Sequence, residues 1–431
     1  MKKNAPLIKV LAAIFLAIIA GMLTGPEANI FGIPIVQLYD LVGRLFLNAL
    51  MLVVVPLVAA SIITGAARMG AEESFGTLGV KTLFYFMLNL SLAILVAYTV
   101  VTIIAPGVDH ISVVENATDA TKLKAIEQAG QEGGFAKIEQ ILFKIVPSNI
   151  IAAASQGQML GLIFFCLLFG YFIPKIETHA ASVMLSFWKG VFQLMMKITH
   201  LVMKALPIGV FGLVAKVVAT SGVESFKSVA WFFLAALIAL AIHTFIVLPS
   251  LLKFIGGVSP IAHFKAMSPA LLTAFSTSSS AATLPVTIDC VEKRAGVSNR
   301  ICGFTVPLGT SMNLSGSALY ICLVVMFITQ VYGVELSFAT KAVILIMSLL
   351  TSLGLAGIPS ACLIGVVVTL QMIGLPADAI GLIFAVERIL DMLRTVVSVF
   401  GNTCCAVLIA RSEGEKDILT QIKQEQPAPA A

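Results

Sequence analysis

Five polar side chains near the carboxyl end, Glu387, Asp391, Arg394, Ser398 and Asn402, follow one another at spacings of 4, 3, 4 and 4 residues. On an α-helix that spacing lines them along one face. Residues 381–386 and 396–400 on either side are apolar, so the stripe sits at membrane depth. Each charge there costs about 2.5–3.5 kcal/mol on insertion scales, and Glu387, Arg388, Asp391 and Arg394 together cost about 10 kcal/mol or more. Mutual pairing at i+3 and i+4 offsets part of that cost without explaining why charges stand there at all. An arginine can grip a carboxylate through two parallel hydrogen bonds, and an aspartate can pair with an ammonium group. A solute carrying both groups, an acidic amino acid, fits this pair better than a sugar or a simple cation.

Three further polar stretches interrupt apolar sequence. Residues 309–317 read GTSMNLSGS, residues 276–283 read STSSSAAT, and residues 352–357 read SLGLAG. The last two belong to a weak internal repeat, S-x-x-x-A-x-[LI]-P, at Ser278–Pro285 and Ser352–Pro359. Paired, interrupted hydrophobic segments in corresponding positions point to a transporter site. Turns buried at that depth expose amide N–H groups at helix starts, which attract carboxylates, and Ser and Gly let the backbone approach a ligand. Unwinding within 309–317 would leave carbonyls free for a small cation. The competing reading, small-residue packing seams and a polar helix–helix seam, stays open on these residues alone.

The elements that must position these groups are membrane helices. The chain has 431 residues, 59% hydrophobic and only 11% charged, with a mean hydropathy of +1.02. Runs at 7–25, 45–64, 83–105, 229–252, 301–330 and 342–350 are apolar over a bilayer thickness or a large part of it. In hydrocarbon every backbone amide must be satisfied internally, so helices are the default, and the alternation of an outer-membrane barrel is absent. The last helix is expected over 379–410. The first apolar run is read as a retained helix rather than a cleaved signal. Basic residues cluster at helix ends, whereas 106–140 is acid-leaning, which puts both termini in the cytoplasm, that loop outside, and an even number of crossings between them. The tail beyond Arg411 is polar and expected to fray.

Several function classes drop out. The net charge of +5 is spread over helix ends and is no nucleic-acid signature. The seven cysteines lack zinc-like spacing and read as small core residues. No P-loop and no catalytic-triad spacing occurs, which argues against an ATP-driven pump and an intramembrane hydrolase. Gln193, Lys197, His200 and Lys204 form a helical stripe read as an interfacial or packed face, His243 reads as a satisfied packing histidine, and Asp40 with Arg44 as an i,i+4 pair.

The ordered motifs SSSAATLP (278–285), PLG (307–309), NLSGSALY (313–320), AGIP (356–359) and ILDMLRT (389–395), with MLVVVPLV (51–58), VPSN (146–149) and PIGVFG (207–212), resemble the dicarboxylate/amino acid:cation symporter family, which includes the glutamate transporters. The resemblance implies an all-α membrane protein of eight transmembrane helices and two re-entrant helical hairpins. It also implies inverted repeats, a homotrimer in the bacterial inner membrane, and an elevator motion of one domain against another. Carried onto this chain, scaffold helices 1 and 2 fall in 1–75 and helix 3 of the transport domain in 76–105. The extracellular loop takes 106–144 and scaffold helices 4 and 5 take 145–222. The rest of the transport domain, helix 6 to helix 8 with both hairpins, takes 223–412, and the cytoplasmic tail takes 413–431. By position, Ser278, Ser279, Ser280, Gly357 and Ile358 would bind the main carboxylate of the substrate. Asp391 would take its amino group and Arg394 its side-chain carboxylate, with Ser317, Thr395 and Ser398 nearby. Cation ligands would come from Gly309, Ser311, Asn313, Ser352 and Asn402.

The departures from the family pattern concern the cation. Acids that sodium-coupled members place in the unwound helix and late in the last helix are Ser315 and Asn402 here, and the third helix offers Phe86, Asn89 and Leu90. A hard cation prefers several oxygens with a carboxylate among them. Coupling is therefore expected to shift toward protons or fewer sodium ions, with Ile321 where eukaryotic relatives carry a protonatable Glu and Glu387 as the titrating candidate. Ser278 and Met392 occupy positions where relatives often have a further Arg, so Asp391 is expected to be less neutralised. The expected function is symport of glutamate or aspartate with H+ and/or Na+, with no cofactor beyond the co-transported cation and no nucleic-acid partner. A C4-dicarboxylate or neutral amino acid cargo, or a passive anion channel, are the alternatives.

Overall fold

The computed structural model describes residues 5–30, 32–70, 76–108, 146–155, 159–221, 225–334, 336–355, 357 and 360–419. The helices, in chain order, are α1 (Ala5–Thr24), α2 (Ile35–Gly70), α3 (Gly76–Ile104), α4 (Ile150–Ser155), α5 (Met159–Phe172), α6 (Thr178–Lys204), α7 (Leu206–Ser221), α8 (Ser225–Ile242) and α9 (Leu248–Phe254). They continue with α10 (Pro260–Thr277), α11 (Ser280–Asp289), α12 (Asn299–Met312), α13 (Ser315–Val331), α14 (Phe338–Gly354), α15 (Cys362–Met372) and α16 (Phe384–Ser412). A wide π turn at His243–Val247 joins α8 to α9, and another at Cys290–Arg294 extends α11. One two-residue antiparallel pair, Asn29–Ile30 with Ile33–Pro34, turns at Gly32 (φ +80°) and is a small exception to the all-helical expectation.

Among the described residues, four helical stretches are long and apolar enough to cross a membrane: Thr77–Ile104, Ser228–Phe254, Asn299–Val331 and Phe384–Ser412. Six shorter apolar helices accompany them. Large apolar side chains point outward on many of these, with Ile103 77% and Phe254 80% exposed. A bilayer is the solvent that makes such a surface stable. The chain is an all-α, multi-pass membrane protein.

Two packing groups emerge. In the first, α7 lies between α1 and α2, and α2 also packs against α5 and α6. In the second, α16 is the central post, packed against α10, α12, α13 and α3. Helix α13 is apolar all round and is buried all round, except at Ser317 and Gln330, as expected of a helix enclosed by others.

Three boundaries depart from expectation, each for a local reason. The last helix starts at Phe384, because Pro376 and Gly374 (φ +84°) hold the chain in a tighter 3-10 turn at Ala377–Ile383. The run 301–330 is two helices, broken at Asn313 and Leu314. The tail does not fray at Arg411: Ile418 and Leu419 are buried, and residues 420–431, like most of the loop 106–144, lie outside the described residues.

Candidate functional site

Three interrupted segments converge on α16. Between α10 and α11 the chain turns at Ser278, which takes a left-handed conformation (φ 51°, ψ 32°) at a non-glycine residue, a strained choice found mostly at functional sites. Its hydroxyl is buried and has no partner. Ser279 caps α11, its Oγ accepting from Ala282 N at 3.1 Å while donating to Gly357 O at 2.7 Å. Ala281 N donates to the same carbonyl at 3.0 Å. The turn between α10 and α11 and the one between α14 and α15 therefore touch tip to tip.

The break between α12 and α13 forms the third side. Gly316 N donates to Ser398 Oγ on α16 at 3.0 Å. A Cβ on Gly316 would overlap the backbone oxygen of Arg394, so only glycine lets α13 start this close to α16. A cavity results, lined by Ser278, Ser280, Ser317, Gly357, Asp391, Arg394, Thr395 and Ser398 together with Leu314, Ala361 and Cys362. Of the ten substrate positions expected above, those eight share this cavity. Ser279 is spent on the cap and the tip contact, and Ile358 lies outside the described residues. The starts of α11, α13 and α15 all border the cavity, which puts the positive ends of three helix dipoles beside it.

Charge in the cavity is tightly paired. Arg394 donates from Nη2 to Glu387 Oε1 and to Asp391 Oδ1, both at 2.7 Å, and from Nη1 to Glu387 Oε2 at 3.2 Å. Its guanidinium lies 4.5 Å from the centre of the Tyr320 ring, and the Tyr320 hydroxyl donates to Glu387 Oε2. The second oxygen of Asp391 accepts from Ser360 N at 3.1 Å and from Arg388 Nη1 at 3.2 Å. Asp391 is thus held by two arginines and an amide, and the expectation that it is poorly neutralised does not hold. Arg388 takes the place of the missing arginine from one turn away on the same helix, an i,i+3 pairing. The sequence pattern gives Tyr320 no role, although buried tyrosines usually find a hydrogen-bond partner. Thr395 Oγ1 donates to Asp391 O within the helix.

The expected cation residues divide. Gly309, Asn313 and Asn402 come together: a Cβ on Gly309 would overlap the Asn402 amide, and Asn313 N donates to Gly309 O at 3.0 Å. Asn402 Nδ2 donates to Val306 O at 3.0 Å, leaving its Oδ1 buried without a partner. Asn313 Oδ1 accepts from Asn89 Nδ2 at 2.8 Å, and Asn89 Oδ1 faces His243 Nε2 at 3.1 Å. Amides and an imidazole fill this region, and His243 Nδ1 and Ser315 Oγ are buried without partners; His243 is only half satisfied. Ser311 and Ser352 do not join, since each donates into its own helix, to Leu308 O at 3.0 Å and Leu349 O at 2.7 Å.

Away from the cavity, Asp40 does pair with Arg44 (2.8 Å) and also with Lys216 of α7 (2.7 Å). Gln193, Lys197 and Lys204 are exposed on α6, while the side chain of His200 lies outside the described residues. The seven cysteines are free and buried. Among the described residues no cluster of His, Cys, Asp and Glu suits a metal ion.

Comparison with known proteins meets this geometry from the other side. Residues 8–412 match the profile of the sodium:dicarboxylate symporter family. A proton/sodium-glutamate symport protein from Bacillus caldotenax is 32% identical over 418 residues, 95% of this chain and 97% of the relative. A proton/glutamate-aspartate symporter from Escherichia coli (strain K12) is 32% identical over 384 residues, 89% and 87% of the two chains. A C4-dicarboxylate transport protein from Bacillus subtilis (strain 168) is 31% identical over 415 residues, 95% and 94%. The profile spans every element that lines the cavity, from the α10–α11 turn to α16: the chain belongs to the sodium:dicarboxylate symporter family, a family of membrane symporters and not of enzymes.

Proposed function

We propose that this symporter takes up glutamate or aspartate together with H+ and/or Na+, in the cavity between the two turns and α16. The observation that carries this reading is the ion cluster: a buried arginine and a buried aspartate, 2.7 Å apart, beside three helix starts. Arg394 spends three of its five N–H donors on Glu387 and Asp391. A substrate side-chain carboxylate that takes both Nη groups replaces one of these, and Glu387 is the one to give way. Protonation turns its carboxylate into a poor partner for Arg394, which is then free for the substrate, while Tyr320 keeps the acid in place. Asp391 turns to the amino group, and the main carboxylate meets the N–H groups and hydroxyls at Ser278, Ser279, Ser280, Gly357 and Ile358. Ser317, Thr395 and Ser398 complete the lining.

The same scheme assigns Glu387 as the proton carrier. It leaves Gly309, Asn313 and Asn402, with Ser311 and Ser352 further out, as a site stripped of carboxylates that holds a sodium ion weakly or not at all. Eight membrane crossings, two re-entrant hairpins and cytoplasmic termini in a bacterial inner membrane suit the positive-inside pattern and the two packing groups. A homotrimer working by an elevator motion follows from the same reading. The moving body comprises 76–105 and 223–412, and the scaffold comprises 1–75 and 145–222.

The test is uptake of labelled aspartate and glutamate into proteoliposomes under a proton gradient or a sodium gradient, imposed one at a time. Uptake driven by an inward proton gradient is expected. Uptake that needs sodium and ignores pH overturns the assignment of Glu387, and competition by succinate or serine but not aspartate overturns the cargo.

A further inference from the structure

Behind α16 the chain makes a second structure that the transport cycle described above does not use. Gly414 (φ +93°) ends the helix in the left-handed region, with Gly414 N donating to Arg411 O and Glu415 N to Ala410 O, both at 3.1 Å. This glycine-terminated cap reverses the chain. Residues 415–419 then run back over the open end of the α10–α11 helix–turn–helix, the end opposite its serine tip.

Both legs are gripped there. Arg411 donates from Nε to Gly256 O at 2.9 Å, in the turn that leads into α10, and from Nη1 to Glu415 O at 3.0 Å and Lys416 O at 3.1 Å. On the other leg, Ser298 N, at the start of α12, donates to Glu415 Oε2 at 3.2 Å, where the helix dipole favours an acid. Leu419 N donates to Ala295 O at 2.8 Å, and Ile418 and Leu419 are buried. A third element joins through Lys81 of α3, whose Nζ lies 2.6 Å from Glu413 Oε1 and 3.0 Å from Ser412 O. In the first turn of α10, His263 Nε2 and Thr403 Oγ1 are 3.1 Å apart, so that leg also rests on α16.

We infer that residues 411–419 form a clasp which holds the base of the α10–α11 pair on α16, with Arg411 and Glu415 as positioning residues for the serine tip. Eighteen helical residues separate base from tip in α10, about 27 Å at 1.5 Å per residue. Over that length a small splay at the base displaces Ser278–Ser280 from Gly357 and Arg394. The inference rests on the reading that the tip serines hold substrate.

Two measurements test it. In wild type and in Arg411→Ala, Arg411→Lys and Glu415→Ala, hydrogen exchange is followed at Ala295–Ser298 and at Ala281, whose N–H reaches Gly357 across the tip. The aspartate KM and the maximal rate are then measured in proteoliposomes. Exchange at both places is expected to rise about ten-fold in the alanine variants, from the loss of one charge-assisted hydrogen bond. KM is expected to rise by a similar factor with a smaller change in maximal rate, and Arg411→Lys is expected to restore part of it. A chain ended after Leu419 keeps the clasp and should match wild type. Exchange unchanged at Ala281 in both alanine variants overturns the clasp, as does a loss of maximal rate with KM unchanged. Absence of aspartate uptake by the wild type defeats the cargo reading instead, and the exchange data still decide the clasp.

Discussion

Arg394 is 1% exposed and satisfied on three oxygens. In the proposed cycle a substrate carboxylate takes both Nη groups and displaces Glu387, a competition rather than a preformed socket. Removing the arginine leaves the buried Glu387 without a cationic partner, a penalty of about 3–5 kcal/mol. Arg394→Ala is therefore expected to abolish concentrative uptake and to lower the melting temperature in detergent; a variant that still concentrates aspartate contradicts the role given to it. Glu387→Gln keeps the shape and the contact with Tyr320 but weakens the hold on Arg394. Its substrate affinity should rise, and uptake should no longer follow an imposed pH gradient, measured against wild type in the same vesicles. Asp391→Asn should lose amino acids more than dicarboxylates, because only the former bring an ammonium group; equal losses of aspartate and succinate uptake would argue against that contact.

At the scale of the elements, the breaks matter more than the helices. Gly316 exists so that α13 can begin against the backbone of α16, and Ser398 locks that crossing from the other side. Gly316→Ala forces backbone apart in a filled interior, where overpacking costs about 1–3 kcal/mol. A drop in thermal stability with weakened binding is the expected result, read by thermal shift with and without aspartate. The break at Asn313 also brings Gly309 and Asn402 together, with Asn402 Oδ1 buried and unpartnered. Asn402→Asp replaces the amide that donates to Val306 O by a second oxygen, and two oxygens face to face need a cation between them. Sodium is expected to stimulate uptake by this variant more strongly than by wild type, and equal sodium responses would refute the view of a stripped cation site.

For the whole molecule, exposed apolar faces and a charged, enclosed cavity divide the labour between lipid and solute. The two packing groups meet along α2, which touches α12 and α14, and along α7, which packs on the 3-10 turn at Ala377–Ile383. If α8–α16 and α3 move as one body past α2 and α7, a cross-link between those faces should trap the protein without unfolding it. Uptake would then stop while aspartate still protects against heat; full activity in the cross-linked protein is incompatible with an elevator.

Much of this was legible in the chain itself. The 4, 3, 4, 4 spacing of Glu387 to Asn402 sets one polar face on a helix, because helical geometry is local and a membrane leaves the backbone no other choice. The serine and glycine stretches at 276–283, 309–317 and 352–357 marked the breaks, since no continuous span would choose them. What required the tertiary structure was every relation across helices. Tyr320 of α13 holds Glu387 of α16, Ser279 reaches Gly357 seventy-eight residues away, and the tail folds back on Ala295. Hydrogen bonds and buried ion pairs are decided by distances of a few tenths of an ångström between side chains far apart in sequence. A linear pattern fixes which face a residue shares, and only the packed helices decide what it meets there.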